Sequence, residues 1–335
     1  MLRDFLIFLS ENDKARRFSM NAPGARSMAR RFVAGETVDD GIAAAKALAE
    51  QGFGVSLDVL GESVKSREEA RTAGDTYVTL LDRIASERMA DGTPLREKVN
   101  VSLKLTQMGQ DIHVDGSGDY DEAFLRENLG RVLDTASKHD IFVRFDMESS
   151  AYTQRTLDFF RSLWDAGVHN IGVVLQSYLR RTEADADMAS SLGARVRLCK
   201  GAYKEPEDVA FQEKTAVDAN YVHVMKRLLS DGTYPGIATH DEAMLEATKN
   251  YAREKSIPVS AYEFQMLYGV RRDLQHQLLK DGYNIRVYVP FGDAWYPYLM
   301  RRMAERPANL FFIVNAVLRE SPLGGLFGKG RSNRT

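Results

Sequence analysis

The chain has 335 residues, of which 44% are hydrophobic and 27% are charged. This length and composition are sufficient to bury one large core, so a single barrel-like domain is plausible. The formal net charge of -2 gives no global attraction to nucleic acid or to an anionic membrane. We therefore expect no nucleic-acid partner.

Cysteine usage and apolar segments indicate where the chain acts. The single cysteine, Cys199, cannot form an internal disulfide, and the sequence lacks a CxxC pair, which favours a reducing, cytoplasmic compartment. The start MLRDFLIFLSEND has only a short apolar run, so we interpret it as mature sequence and not as a secretory signal. Because no stretch approaches ~20 apolar residues, membrane contact would have to be peripheral.

The first fifty residues precede the repeating part of the chain. GARSMARRFVAG (24–35) and DDGIAAAKALAEQG (39–52) have the composition of helices. We predict that residues 1–50 form a helical segment that flanks the main domain and is not a separate domain.

From residue 53 onward, short β-branched or aromatic runs alternate with longer segments of helical periodicity. Eight such runs begin at residues 53, 99, 141, 170, 194, 236, 260 and 284. Intervening segments such as EAFLRENLGRVLDTASKHD and TQRTLDFFRSLWDAGVH have apolar residues at spacings of three and four, which predicts helices. Eight βα units indicate a (β/α)8 barrel over residues 51–318, whereas a doubly wound sheet usually has fewer strands and a Gly-rich first turn.

The ends of these runs are unusually polar, and in such barrels the functional residues lie at the carboxyl ends of the strands. Lys104 ends the second run in an apolar context, and a buried lysine needs an anionic partner. The third run ends in Asp146 and Glu148. We predict an ion pair between Lys104 and Asp146.

The later runs follow the same pattern. The fifth ends in Arg197 and Lys200 before a Gly201-Ala202 turn, whose small side chains expose backbone N–H groups that can bind phosphate. A single charge at a strand end often forms only a structural ion pair. Polar residues at nearly every strand end instead favour a functional site at the carboxyl end of the barrel, which we call the mouth. The other runs contribute Gln176, Tyr178, Thr239, His240, Glu263, Gln265, Arg286 and Tyr288.

Two residues with reactive side chains are interpreted as structural. His240 has no second histidine or carboxylate beside it at a metal-ligand spacing, so we predict no metal site. Cys199 lies within a run, where a lone cysteine is usually a small buried hydrophobic residue.

The stretch WYPYLMRRMAERPAN (295–309) predicts a helix with a charged face. Tyr298, Arg301, Arg302 and Glu305 share that face, and apolar residues occupy the opposite one. The charged face is either exposed to solvent or directed at a carboxylate ligand, which two guanidiniums and a tyrosine hydroxyl are suited to bind. Beyond it, residues 319–335 are Gly-rich and basic, a composition that tends to stay disordered.

The segment YLMRRMAE resembles the Y-x-x-R-R-x-x-E signature of the flavin-dependent proline dehydrogenases, which occur alone or within bifunctional bacterial enzymes. SLKLTQMG, FDMES, VVLQSYLRRT, RLCKGAY, ATH, EFQMLYG and RVYVPFG resemble the strand motifs of that family in the same order, over roughly residues 53–318. The resemblance implies a distorted (β/α)8 barrel with its final helix over the strand ends. It also implies oxidation of L-proline to 1-pyrroline-5-carboxylate, the first step of proline catabolism, with hydride transfer to FAD.

The resemblance also implies site residues. Asp146, Arg197 and Tyr288 are the catalytic candidates, with Asp146 bracing Lys104 and Arg197 close to the hydride-accepting flavin nitrogen. The residues that it places around proline are Lys104, Tyr288, Tyr298, Arg301 and Arg302. The residues that it places on FAD are Met147, Gln176, Arg197, Lys200, Gly201, Ala202, Thr239 and His240.

The sequence also bears on the electron acceptor and on two alternative functions. No G-x-G-x-x-G fingerprint follows a strand and opens a helix, so FAD would bind through barrel loops, and the resemblance implies a membrane quinone as acceptor. The apolar run 309–318 and the basic tail would then supply a peripheral membrane contact. One rival is a partner- or membrane-binding role alone; the other is a lyase or aldolase with a Schiff base on Lys104 or Lys200.

Overall fold

The computed structural model describes residues 30–61, 64–115, 117–296 and 298. Eight parallel strands pair in chain order and close into a barrel. Each of the eight predicted runs contains one strand, which confirms the predicted (β/α)8 barrel. The strands are β1 (Gly54–Val59), β2 (Val99–Leu103), β3 (Val143–Phe145), β4 (Ile171–Gln176), β5 (Arg195–Cys199), β6 (Gly236–Ala238), β7 (Glu263–Leu267) and β8 (Ile285–Phe291).

Helices connect the strands and cover the outside of the barrel. They are α1 (Val38–Ala49), α2 (Arg67–Ser86), the short α3 (Leu105–Met108), α4 (Glu122–Lys138), α5 (Ser150–Asp165), α6 (Thr182–Ser191), α7 (Lys214–Asp231), α8 (Glu242–Glu254) and α9 (Arg272–Lys280). Short 3-10 turns span Leu95–Glu97 and Val259–Ala261. Among the described helices, none combines the length and the apolar character needed to cross a membrane.

Of the two N-terminal segments predicted as helices, the second forms a helix. DDGIAAAKALAEQG forms α1, which begins after a capping box between Thr37 and Asp40 and packs on β1 and β8. In GARSMARRFVAG, by contrast, residues 30–33 form a turn and a bend, and residues 24–29 lie outside the described residues. The end of this segment is bonded to the barrel, because the Ala34 N–H donates to the carbonyl of Pro290 on β8 at 2.9 Å.

Strand alternation separates an apolar outer surface from a polar interior. In β1, Val55 and Leu57 belong to the hydrophobic core between strands and helices. Ser56 points the other way, where its hydroxyl lies 2.9 Å from that of Ser102 on β2. The interiors of such barrels are usually filled by branched hydrophobic residues. This interior is instead occupied by polar groups, which require partners inside the barrel.

Beyond Tyr298 the predicted helix over the strand ends and the tail 319–335 lie outside the described residues. The predicted boundaries of the barrel at residues 51 and 318 therefore stay predictions.

Candidate active site

Arg197 on β5 lies in the barrel interior, and each nitrogen of its guanidinium has a protein partner. Nη1 donates to Asp146 Oδ1 at 2.7 Å, and Nε donates to Gln265 Oε1 at 2.5 Å. Nη2 donates to the hydroxyls of Ser102 at 3.0 Å and Ser56 at 3.4 Å. The side chains of Arg197 and Asp146 are only 7% and 10% exposed. The ion pair is therefore buried, and the guanidinium is fixed in one orientation.

Asp146 joins Arg197 to Tyr288 on β8. The Tyr288 hydroxyl donates to Asp146 Oδ2 at 2.6 Å, and the Arg197 guanidinium carbon lies 5.1 Å from the centre of the tyrosine ring. Burial raises the pKa of Tyr288 well above its ordinary value of 10, and the negative charges of Asp146 and Asp58 raise it further. Tyr288 therefore keeps its proton at neutral pH and acts as a donor. The structure thus brings together the three residues predicted to be catalytic.

The predicted ion pair between Lys104 and Asp146 is wrong. Lys104 Nζ instead lies 3.5 Å from Asp58 Oδ2, with side chains 11% and 1% exposed. Both carboxylate oxygens of Asp146 already accept hydrogen bonds from Arg197 and Tyr288. Lys104 directly follows β2, and Asp58 pairs with Ser102 of that strand in the parallel register. Lys104 therefore has an ionic partner on β1, and Asp146 is bonded to Arg197 and Tyr288 instead.

Sequence reasoning missed three interior residues, Ser56, Asp58 and Ser102. The signal was present in β1, where Ser56 and Asp58 alternate with valine and leucine residues. Polar residues with period two in an otherwise apolar strand share one face, which here is the barrel interior.

Glu263 and Arg286 were predicted at the carboxyl ends of their strands, and this placement is wrong. Glu263 is the first residue of β7, and Arg286 is the second residue of β8. Arg286 Nε donates to Glu263 Oε1 at 2.8 Å, and its Nη1 donates to the carbonyls of Val55 and Lys98 at 2.9 and 3.0 Å. This pair therefore lies at the amino end of the barrel, away from the mouth.

At the mouth, Lys200 lies between two aspartates, and we call these three residues the Lys200 cluster. Its Nζ donates to Asp218 Oδ1 at 2.5 Å and to Asp241 Oδ2 at 2.7 Å. The hydrogen bond from Lys200 lowers the pKa of Asp241. Burial acts to raise the pKa of Asp218, but bonds from Lys200 and Lys214 outweigh it, and the net shift is downward. The cluster fixes an ammonium group beside the turn that follows β5.

The turn after Lys200 requires glycine. Gly201 has φ of +107°, and a Cβ atom there would lie 2.2 Å from Cδ1 of Tyr178. Beyond the turn, Glu205 accepts the Ser150 N–H at the start of α5 at 2.7 Å, as well as the Ser150 hydroxyl. The Tyr178 hydroxyl also donates to Glu205, at 3.4 Å. These contacts give the Gly201-Ala202 backbone a defined position against an aromatic ring.

The remaining residues predicted to bind FAD follow β3, β4 and β6. Gln176 ends β4 and donates from Nε2 to the Glu148 carbonyl at 2.8 Å, while Met147 after β3 is buried at 7% exposure. After β6, Thr239 Oγ1 accepts the Asp241 N–H at 3.0 Å, and His240 Nε2 accepts the Leu267 N–H at 3.0 Å. Neutral His240 therefore carries its ring proton on Nδ1.

The mouth thus has two sectors. The predicted FAD residues lie on the β3 to β6 side, and Lys104 and Tyr288 lie on the β8 to β2 side. Arg197 and Asp146 are shared between the two. Tyr298 is buried at 6% exposure. Arg301 and Arg302 lie outside the described residues, so their predicted contact with a carboxylate stays a prediction.

Comparison with known proteins identifies the family. The proline dehydrogenase family model matches residues 42–315. Proline dehydrogenase 2 of Bacillus subtilis is 41% identical over 318 residues, which cover 95% of this chain and 99% of that protein. Proline dehydrogenase of Deinococcus radiodurans is 37% identical over 88% of this chain and 91% of the relative.

A solved structure has the same fold. It is proline utilization A (PutA) from Bdellovibrio bacteriovorus, inactivated by N-propargylglycine, with a TM-score of 0.75 and 28% identity. The match covers 95% of this chain and 35% of PutA, so the chain corresponds to about a third of that longer protein. With a family model that spans most of the chain and relatives matched over nearly their whole length, the chain belongs to the proline dehydrogenase family of oxidoreductases.

Proposed function

We propose that the chain oxidises L-proline to 1-pyrroline-5-carboxylate with FAD as cofactor and passes the electrons to a membrane quinone. Family membership places it at the first step of proline catabolism. The observation that carries the proposal is the buried group of Arg197, Asp146 and Tyr288, since this group lies between the two sectors of the mouth. FAD, when bound, supplies the hydride acceptor for this oxidation.

The residues of the β3 to β6 sector fit FAD in shape and in hydrogen-bonding groups. A dinucleotide diphosphate needs N–H donors, which the Gly201-Ala202 turn would supply from the backbone. Lys200 donates to Asp218 and Asp241 and would add its third N–H to the diphosphate. A side chain at position 201 would collide with the Tyr178 ring, so the turn keeps a bare backbone surface. Gln176 donates through Nε2 to a carbonyl, and its Oε1 has no partner within the described chain, which leaves an acceptor for a ring N–H group.

Arg197 suits a position beside an electron-accepting ring. Its charge lies in a buried environment, where electrostatic interactions are less screened than in water. A guanidinium there stabilises negative charge that develops during the reaction, and it needs no reorganisation because its nitrogens are already bonded. Asp146 balances this charge and holds the guanidinium in place.

Lys104 and Tyr288 suit the proline side of the mouth. Lys104 offers an ammonium group to a carboxylate, and Asp58 positions it at 3.5 Å. Tyr288 keeps its proton, so it presents a neutral ring to the substrate while its hydroxyl binds Asp146. We further propose that Arg301 and Arg302 bind the proline carboxylate, as the sequence predicts.

The Schiff-base alternative has less support. Lys104 lies beside Asp58, and Lys200 lies beside Asp218 and Asp241. These carboxylates stabilise a charged amine, whereas a Schiff-base lysine must react as the neutral amine. Membership of an oxidoreductase family also favours proline oxidation.

The decisive experiment is a visible spectrum of the purified protein. We expect flavin absorption bands that are bleached by L-proline under anaerobic conditions and that return when a short-chain quinone is added. Addition of NAD+ in place of the quinone serves as the control and should leave the bands bleached. A colourless protein that cannot be reconstituted with FAD would contradict the proposal.

Because the proposed quinone acceptor lies in a membrane, the protein would have to bind a bilayer surface to reduce it. We propose that the apolar run 309–318 and the basic residues Lys329, Arg331 and Arg334 supply a surface contact, with each charge worth ~1 kcal/mol on an anionic membrane. All of these residues lie outside the described part of the chain. Truncation after Pro322 should reduce cosedimentation with anionic vesicles and quinone-coupled turnover, while turnover with a soluble dye stays intact. Unchanged vesicle binding would place the contact elsewhere.

A further inference from the structure

A continuous line of buried polar side chains joins the amino end of the barrel to Arg197. Arg286 Nε donates to Glu263 Oε1 at 2.8 Å, and Gln265 Nε2 donates to the same oxygen at 2.6 Å. Gln265 Oε1 then accepts from Arg197 Nε at 2.5 Å. We call these four residues the axial column. Its middle members, Glu263 and Gln265, are 4% and 3% exposed.

The two neighbours of Gln265 determine which way its amide faces. Ionised Glu263 can only accept hydrogen bonds, and the Arg197 guanidinium can only donate them. A reversed amide would therefore place oxygen against oxygen on one side and N–H against N–H on the other. Burial acts to raise the pKa of Glu263, but Arg286 and other donors outweigh it and lower the pKa, so the carboxylate is ionised at neutral pH. The Gln265 oxygen is thus directed at Arg197.

Arg286 fixes the amino end of the axial column, and one glycine leaves space for its Gln265 amide. Arg286 Nη1 donates to two carbonyls, those of Val55 and Lys98, which fixes the arginine against two other strand starts. A Cβ atom at Gly236 would lie 2.4 Å from Gln265 Nε2 and 2.8 Å from its Cδ. Only glycine at position 236 leaves room for the amide in its observed position.

We infer that Gln265 is a positioning residue for the reaction, which acts through Arg197 by fixing the Nε edge of the guanidinium. This inference rests on the proposed function, in which Arg197 lies beside the flavin. Asp146 binds Nη1, and the Ser102 and Ser56 hydroxyls accept from Nη2 at 3.0 and 3.4 Å, so all of these contacts lie at the two terminal nitrogens. The bond from Nε to Gln265, at 2.5 Å, is the shortest of the four and holds the remaining edge of the guanidinium, which fixes the orientation of its plane. Glu263 and Gly236 support Gln265 in this role.

The test replaces Gln265 by methionine, which has a similar length and no hydrogen-bonding amide. The matched control is Gln275→Met, because Gln275 is also buried, at 3% exposure, and its Nε2 donates to two carbonyls, of Leu267 and Val270, away from the column. The first readout is solvent exchange of the Arg197 Nε–H by NMR in the protein without FAD, with the signal assigned by its loss in Arg197→Met. We expect about tenfold faster exchange in Gln265→Met and no change in the control.

The second readout is the midpoint potential of the bound flavin. A displaced Arg197 stabilises the reduced flavin less, so we expect about tenfold less favourable reduction in Gln265→Met, which corresponds to a potential lower by about 30 mV. A purely structural role would lower the melting temperature of both glutamine variants and leave the potential of each unchanged.

A second variant protects the test against misfolding. Gly236→Ala removes no polar group, but its methyl group displaces the Gln265 amide. It should therefore shift the Arg197 Nε–H exchange rate and the flavin potential in the same directions as Gln265→Met does. Wild-type exchange and potential in both Gln265→Met and Gly236→Ala would overturn the inference. If the wild-type protein fails to bind FAD, the proposed function fails, while the exchange measurement still decides whether Gln265 fixes Arg197.

Discussion

Replacement of Asp146 by asparagine tests how strongly the site depends on its buried ion pair. Asparagine has nearly the same shape, but it leaves the Arg197 charge without its carboxylate partner. The two side chains are 7% and 10% exposed. Loss of one partner of a buried ion pair costs ~3–5 kcal/mol in unfolding free energy. Because Gln265 and Ser102 still accept hydrogen bonds from Arg197, we expect the lower end, about 3 kcal/mol.

The assay is urea unfolding of the wild-type protein and the variant, compared through their midpoints at equal slope. The control is Glu127→Gln, which breaks an exposed ion pair between Arg71 and Glu127, with an N–O distance of 3.3 Å and side chains 54% and 61% exposed. Such pairs contribute about 0–1 kcal/mol. A loss in Asp146→Asn that is no larger than in this control would show that water screens the Arg197 charge, and the reasoning from burial would be refuted.

The same variant separates two roles for Asp146. Its carboxylate contacts Arg197 and Tyr288, and no residue predicted to bind the FAD diphosphate is among its partners. We therefore expect Asp146→Asn to retain FAD while turnover with proline falls. Loss of the flavin in the variant would assign Asp146 to cofactor binding.

Further expectations follow from single contacts. Tyr288→Phe removes the donor to Asp146 and should cost about 1.5–3 kcal/mol in urea unfolding, whereas a cost near zero would mean that water replaces the hydroxyl. Gly172→Ala places a Cβ atom 2.4 Å from a backbone carbonyl oxygen and should lower the free energy of unfolding by at least ~1 kcal/mol. Gly130→Ala lies in a helix with open space around it and should raise the free energy of unfolding by about 0.5–1 kcal/mol. Equal effects of the two substitutions in urea unfolding would contradict the packing argument. The aspartates of the Lys200 cluster have pKa values below the ordinary 3.8, so their contribution is present above that pH and is lost as the pH falls through the folded-state values. Lys200→Met should therefore reduce the loss of unfolding free energy on acidification, and an unchanged acid profile would refute this.

The fold was predictable because each strand has a distinctive sequence. Apolar residues that face the helices form short β-branched runs, and the segments between them have helical periodicity. Eight repeats leave few architectures other than a closed barrel. The turn at residues 30–33 was not predictable from composition, because Ala34 binds the Pro290 carbonyl, a contact between distant parts of the chain.

The sequence predicted which residues would lie close together at the candidate site better than it predicted their pairing, and the roles of these residues stay predictions. Asp146, Arg197 and Tyr288 were predicted as members and do meet. Lys104, however, had candidate carboxylates on the strands to either side of its own, and periodicity does not say towards which neighbour a side chain turns. Glu263 was misplaced because Val259–Ala261 forms a 3-10 turn, so the seventh strand begins later than its sequence run. Such errors of a few residues move a side chain from one end of the barrel to the other.

The polar interior makes the two faces of the strands differ in what they tolerate. On the outer face, a swap of similar volume such as Leu57→Met changes only packing in the hydrophobic core and costs typically less than ~1.5 kcal/mol. On the inner face, polar side chains bind one another. Gln265, for example, donates to Glu263 and accepts from Arg197. Removal of one such group leaves two buried partners unsatisfied, and each unsatisfied group costs ~1–3 kcal/mol. Substitutions along the barrel axis are therefore expected to be less tolerated than those in the hydrophobic core, because a hydrogen bond lost in the interior that orients Arg197 leaves buried polar groups unpaired.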